Sequence, residues 1–350
     1  MAFDLNQLVR ENIKTLQPYS SARDEFKGEA NVFLDANENS YGSPLTRWYN
    51  RYPDPLQWQV KEKISAIKGI PPANIFLGNG SDECIDLLIR AFCIPGTDNI
   101  LICPPTYGMY EVSAAINDVK IKKVPLTTEF QLDLEAIEET VDDFTKIIFL
   151  CSPNNPTANS LRREDIEIIL NNYFGIVVID EAYINFSASP TFSRDLADYP
   201  NLVVMQTLSK AWGLAALRVG MAFSSIEIID ILNRIKPPYN INQASQELVL
   251  KALDEVEQVN DMIREIVKQR SGLQQSLTGL KNVRVVYPSD ANFLLVKIDH
   301  AREVYEALLS EGIVVRDRSK VILCDDCLRI TVGTEQENNL LVAALKRIAG

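Results

Sequence analysis

The sequence predicts an α/β fold: a mostly parallel sheet with helices on both faces, followed by a smaller α+β domain. Three observations carry that expectation. Short apolar stretches alternate with amphipathic ones through the middle of the chain, most of the apolar stretches are continuous, and the order of elements changes after about residue 280. Continuous apolar strands separated by helices are what a sheet buried on both faces requires. At 350 residues the chain is long enough for about two domains and a substantial core.

Taken in order, the strand candidates are 74–77, 99–103, 120–124, 146–151, 175–180 and 202–207, with helices over 81–92, 107–116, 134–141 and 163–171 between them. In such sheets ligands gather beyond the carboxyl ends of the strands. From about 242 to 280 the pattern is one long charged segment of helical period, of the kind that links two domains. After it come VRVVY, NFLLVKI, a helix, IVVRD, LRITV and the helix EQENNLLVAALKRIA, the order of a small α+β unit.

Composition removes several mechanisms. The 47 acidic against 35 basic residues give a net charge of −12, which argues against nucleic acid or an anionic membrane as main partner. Small anionic ligands see local fields and are not excluded. No apolar run approaches the length of a membrane span, and the start, MAFDLNQLVRENIKTL, lacks the apolar core of a signal peptide, so a cytoplasmic location is expected. There is one histidine, His300, ahead of REVYEALLSEG, where it reads as a helix start. Histidine-based triads and metal sites thereby lose their support, and an acid–base group would be a lysine, tyrosine or carboxylate. Of six cysteines, Cys324 and Cys327 form a CxxC with no second pair, which reads as structural rather than zinc-binding. The sequon at Asn185 is expected to be idle.

Chemistry enters at the strand ends. GNGSDE (78–83) lies between a strand and a helix, where backbone N–H groups attract phosphate, although the plain reading is a turn with Ser81 or Asp82 as N-cap. VVIDEAY (177–183) ends a buried strand in Asp180, costly unless a cation or donor meets it. It resembles half of an ATPase site, but the chain has no Gly-Lys dipeptide and therefore no phosphate loop of that kind. Pyridoxal phosphate (PLP) sites instead pair a lysine with an Asp or Arg partner for the pyridine nitrogen. Lys210, just past another strand end, could converge with Asp180. Thr207, Ser209 and Arg218 would add hydroxyls and a cation for the cofactor phosphate beside residues 80–82. CSPNNPT (151–157) is a strong turn signal on the same edge, and an Asn there could donate to the phenolate oxygen of PLP.

With those residues assembled, the chain resembles the fold-type I PLP-dependent aminotransferases. LDANENSYG (34–42), RYPDP (51–55), GNGSDE, PPTYGMY (104–110), CSPNNPT, VVIDEAY, TLSKAWGLAALRVG (207–220), SDANFLLV (289–296), VRDR (315–318) and LRITVG (328–333) carry the resemblance nearly end to end. It implies a large domain built on a mostly parallel seven-stranded sheet plus a smaller α+β domain, with limits expected at 1–28 for an N-terminal arm, 29–255 for the PLP-binding domain and 256–350 for the small one.

The resemblance also implies roles. Lys210 would bond the cofactor and move the proton at the substrate Cα; Asp180 would hold the pyridine nitrogen protonated. Tyr183 and Asn155 would hydrogen-bond the phenolate oxygen and Tyr107 would stack on the ring. Ser81, Asp82, Thr207, Ser209 and Arg218 would surround the phosphate, with Tyr52 reaching it from the partner subunit of a homodimer with shared active sites. Arg329 and Arg316, with Tyr19 and Asn37, would receive the substrate's anionic end. The implied reaction is ping-pong amino transfer from L-glutamate to imidazole-acetol phosphate. Its rivals are transfer between aromatic amino acids, decarboxylation of an amino-acid phosphate, and a scaffold without activity. The last would be expected to lack Lys210 or Asp180, and both are present. Two positions depart from the common pattern: Ala158 and Ala216 stand where glycine is usual.

Overall fold

The computed structural model describes residues 3–17, 32–47 and 49–349. Its centre is a seven-stranded sheet of spatial order β1-β7-β6-β5-β4-β2-β3. The strands are β1 (Ile75–Asn79), β2 (Asn99–Ile102), β3 (Lys120–Lys123), β4 (Thr145–Cys151), β5 (Ile176–Asp180), β6 (Leu202–Thr207) and β7 (Val219–Phe223). Pairings β2–β3, β2–β4, β4–β5 and β5–β6 are parallel, whereas β7 runs antiparallel to both β1 and β6. The six strand candidates are found within a residue or two. The seventh strand was not among them, because VGMAF follows the apolar run of 211–217 without a turn residue to set it apart.

Alternation along the central strands feeds two cores. Ile148, Leu150, Val177, Ile179 and Val204 face one cluster, while Ile147, Phe149, Ile176, Val178 and Val203 face the other. Both sets are buried, so the strands read as continuous apolar runs. Each such aliphatic side chain contributes roughly 1.5–3 kcal/mol by leaving water. That burial fixes the register, and the register sets where the strand ends fall.

The long charged segment is not one helix. It forms Gln243–Ala252 and Val256–Thr278, broken at 253–255, where Asp254 and Glu255 donate backwards to Lys251 and Ala252 in a tight turn. The first helix packs on Trp58–Lys68 and the second on the other sheet, a change of direction that a straight helix could not make. The break leaves no mark in the sequence because Asp254-Glu255-Val256-Glu257 is as polar as its surroundings.

That second sheet has the order β10-β11-β9-β8, all antiparallel, from β8 (Val283–Val286), β9 (Phe293–Ile298), β10 (Arg316–Asp317) and β11 (Cys327–Thr331). One face buries Leu294, Val296, Leu328 and Ile330 among Leu273, Leu277, Leu308, Leu341 and Leu345. Phe293 and Leu295, on the other face, join a core of the large sheet. The small sheet thus presents β10 and β11 to the strand ends of the large one.

Candidate active site

The carboxyl ends of β4, β5 and β6 lie side by side because the register pairs Cys151 with Asp180 and Asp180 with Met205. Beyond them opens a cavity of about 960 Å³, on the scale expected for a small-molecule site. Asn155, Asp180, Tyr183, Thr207, Ser209 and Lys210 line it, with Ser81, Asp82, Tyr107 and Arg218 beside the start of the helix Ser81–Phe92 and Arg316 and Arg329 opposite. Twelve of the fifteen expected residues are therefore brought together. Tyr52 and Asn37 lie elsewhere, in a separate surface depression where Tyr52 stacks on Tyr239 with ring centroids 4.5 Å apart. Tyr19 lies outside the described residues.

Asp180 is buried on the cavity floor. Tyr110 donates from Oη to Asp180 Oδ2 at 2.7 Å, and the Ala182 amide donates to Oδ1 at 3.1 Å. Burial pushes the carboxyl above its ordinary range, and these two donors oppose that shift. Tyr110 is itself buried, stacked on Phe149 at 4.8 Å. The sequence reading missed it, although a tyrosine on an apolar helix face needs an acceptor, and that need was legible.

Lys210 projects toward the same space, with Nζ 5.7 Å from the centre of the Tyr183 ring. Burial lowers its pKa, the nearby Arg329 charge lowers it further, and Asp180 pulls the other way. The net shift is downward, toward the neutral amine that can accept a proton. Asn155 Nδ2 points to Tyr183 Oη at 3.4 Å, and Arg329 Nη1 donates to Asn155 Oδ1 at 2.6 Å. One polar chain therefore links Tyr183, past the end of β5, to the far wall.

The helix-start corner is built without spare volume. Gly80 has φ +78°, and a Cβ there would stand 2.7 Å from Arg218 Nη2; a Cβ on Gly220 would stand 2.2 Å from the Ser81 nitrogen. The Gly80 amide donates to the Arg218 carbonyl at 2.7 Å. Gly80 occupies the cap position with no side-chain cap bond, so neither Ser81 nor Asp82 is the N-cap; Ser81 is the first helical residue. A capping side chain would fill the space in front of the first-turn N–H groups, and leaving it out keeps those donors available to an anion. Arg218 sits in left-handed backbone at φ +54°, strained for a residue with a side chain, and holds Asp82 at 3.6 Å and Ser209 Oγ at 3.5 Å. Tyr107 donates to Asp82 Oδ1 at 3.0 Å.

The far wall is cationic. Seven cationic side chains line the cavity against three acidic ones, in a chain whose net charge is −12. Two of the acids are engaged, Glu111 with Lys123 at 2.7 Å and Asp82 with Arg218. Arg318 belongs to this wall and was also missed, although two-residue alternation from Arg316 along a strand would have found it.

A lysine and a buried carboxylate on adjoining strand ends, facing an arginine and an open helix start, define a class of α/β transferases that hold a phosphorylated cofactor. The chain belongs to the aminotransferase class I and II family, whose profile matches residues 34–345. Among curated relatives it is 56% identical over 346 residues to a histidinol-phosphate aminotransferase of Cytophaga hutchinsonii, covering 99% of each chain. It is 55% identical over 345 residues to the enzyme of the same name from Parabacteroides distasonis, again covering 99% of each. Among solved structures, the histidinol-phosphate aminotransferase of Clostridium acetobutylicum superposes with a TM-score of 0.78 at 26% identity, over 86% of this chain and 91% of that one.

Proposed function

We propose that this chain transfers the amino group of L-glutamate to imidazole-acetol phosphate with pyridoxal phosphate as cofactor, giving L-histidinol phosphate and 2-oxoglutarate in ping-pong order. The observation that carries the reading is the convergence of Lys210, Asp180 and Arg218 on a single cavity with a cationic far wall. Identity of 55–56% over nearly the whole length to relatives named for that reaction supports it.

The residues fit the cofactor on their own chemistry. Arg218, Ser209, Thr207 and the open first turn at Ser81 and Asp82 would hold its phosphate, in a corner where added side chains would collide. Asp180 would meet the ring nitrogen, a cation that offsets the cost of burying the carboxylate. Asn155 and Tyr183 would hold the phenolate oxygen, and Tyr107 would cover one ring face. When bound, PLP supplies an electron sink for the pair left at the substrate Cα. Lys210 Nζ would take the proton from the substrate Cα and give it to the cofactor's C4′, and its lowered pKa suits that task. Arg329 and Arg316 orient the substrate by its anion, which fixes the Cα–H bond relative to Nζ.

The turn at 253–255 is taken as the boundary between a large domain (29–255) and a small one (256–350), with 1–28 as an arm. A homodimer accounts for the segment 32–52, whose Leu34 and Tyr41 are 82% and 98% exposed and whose Tyr52 lies away from its own cavity. In that assembly Tyr52 would reach the partner's phosphate corner, and Asn37, beside it, would join the partner's substrate site. A cytoplasmic location accords with the described residues, which contain no helix long and apolar enough to cross a membrane.

The test is one half-reaction. L-Histidinol phosphate, added without keto acid to PLP-loaded protein, has no carboxylate to lose and so isolates transamination from decarboxylation. Conversion of the visible spectrum to the pyridoxamine form with release of the keto phosphate is expected. No conversion, with reaction of an aromatic amino acid or an amino-acid phosphate instead, would overturn the substrate assignment.

A further inference from the structure

The β10–β11 ribbon carries more positive charge on one face than a carboxylate requires. Arg316 pairs directly with Arg329 across the antiparallel ladder, so the two side chains share a face. The Arg318 amide donates to the Cys327 carbonyl at 2.8 Å, continuing that ladder by one residue. Arg318 therefore falls two positions from Arg316 and on the same face, and all three arginines line the cavity. Like charges set opposite one another destabilise a strand pair. The one acid between them does not compensate: Asp317 is on the other face, where it accepts from Arg302 at 3.4 Å and from the Ser319 amide at 2.9 Å.

The three arginines are not equivalent. Arg329 is tied to Asn155 and thereby to the inner residues. Arg316 is exposed at the rim. Arg318 is half-buried, its side chain forms no hydrogen bond among the described residues, and its Nε is enclosed without an acceptor. A buried guanidinium donor left open costs free energy until an acceptor arrives.

We propose that Arg318 is a specificity-determining residue that takes the phosphate of the phosphorylated substrate, leaving Arg329 to serve the carboxylate of glutamate. The inference rests on the reaction proposed above. In glutamate the anion beside Cα is a carboxylate bonded to Cα, with a single charge that one guanidinium fork satisfies. In histidinol phosphate that place is taken by a phosphate monoester, two atoms farther from Cα, carrying about −1.5 to −2 charges and three acceptor oxygens. A second fork on the same face meets the added charge and oxygens. One wall can then accept both partners of a ping-pong cycle in turn.

The experiment compares PLP-loaded wild type, Arg318→Gln and Arg318→Lys in separate half-reactions with L-histidinol phosphate and with L-glutamate. Loss of a charge-assisted contact predicts that Arg318→Gln lowers kcat/KM roughly 10- to 100-fold for histidinol phosphate, chiefly through KM, and less than about threefold for glutamate. Arg318→Lys keeps the charge without the fork and should give a smaller loss confined to the same substrate. Inorganic phosphate should inhibit the wild-type glutamate reaction and inhibit the Gln variant about tenfold less, with acetate inhibition little changed. Equal losses on both substrates, in either variant, would overturn the assignment of Arg318 while leaving the reaction intact. A wild-type protein inert to histidinol phosphate but active on another amino donor would overturn the reaction itself.

Discussion

The two walls of the cavity are built on opposite terms. The inner wall, at the ends of β4, β5 and β6, holds its buried polar groups in hydrogen bonds, Asp180 to Tyr110 and the Ala182 amide and Asn155 to Tyr183 and Arg329, and leaves Lys210 exposed to the cavity. The outer wall, on the β10–β11 ribbon, holds Arg316, Arg318 and Lys320 with no ion pair among the described residues. A satisfied, enclosed network suits a group that stays bound through many turnovers, since it is organised before the group arrives. Open, unpaired charge suits anions that must come and go, because no internal partner has to be displaced. The difference separates holding a cofactor from exchanging two substrates, and it can be broken one residue at a time.

The largest effect is expected at Lys210. Lys210→Ala removes the positioned base, and no histidine is present in the cavity to replace it. Transamination should fall by about 10,000-fold. Near-normal turnover in stopped assays would mean that the inner wall has been read wrongly.

Asp180→Asn comes next and sharpens the distinction between activity and stability. Activity should drop roughly 100- to 1,000-fold, the range for loss of one preorganised electrostatic partner. Stability should move the other way in cofactor-free protein. The folded-state pKa of Asp180 is raised, so the folded protein keeps this proton to higher pH than the unfolded chain does. The cost of the charge is therefore absent in acid and grows as pH rises through the folded-state value. Denaturant unfolding should show the variant matching wild type in acid and exceeding it increasingly as pH rises past the ordinary carboxylate range. A variant less stable at every pH would contradict the description of Asp180 as a buried carboxylate whose desolvation outweighs its two hydrogen bonds.

The smallest of the three is Tyr110→Phe, which keeps the ring on Phe149 and deletes only the hydroxyl. Loss of a hydrogen bond to a charged group costs about 1.5–3 kcal/mol, so PLP should bind about 10-fold more weakly or worse. In the Asp180→Asn background the same change should cost less, because the acceptor is then neutral. Equal costs in both backgrounds, measured by fluorescence titration of PLP, would show that Tyr110 acts through packing alone.

Much of the inner wall was legible in the sequence because each central strand is an apolar run that ends abruptly in chemistry: Cys151 before Asn154-Asn155, Asp180, and Thr207 before Lys210. Burial on both faces makes such strands easy to delimit, and parallel order places their ends together. What escaped was local geometry with no compositional mark. β7 runs on from an apolar stretch, the break at 253–255 is polar among polar residues, and the cap at Gly80 depends on a backbone angle. Tyr110 and Arg318 escaped for another reason. Each lies a short step from a residue that was singled out, Tyr110 three residues past Tyr107 and Arg318 two past Arg316. Ala158, a departure from the usual glycine, adopts φ +70° and is buried, with its amide bonded to the Asn154 carbonyl at 2.8 Å. The glycine-like backbone is kept there at some cost in strain.

The most direct test of the account is to reduce the PLP-loaded protein with borohydride and map the labelled peptide by mass spectrometry. The account predicts a phosphopyridoxyl group on Lys210, in the peptide spanning TLSKAWG, and on no other lysine at one equivalent of cofactor. Labelling of a different lysine, or none at saturating cofactor, would contradict the assignment of the inner wall and of the chemistry built on it.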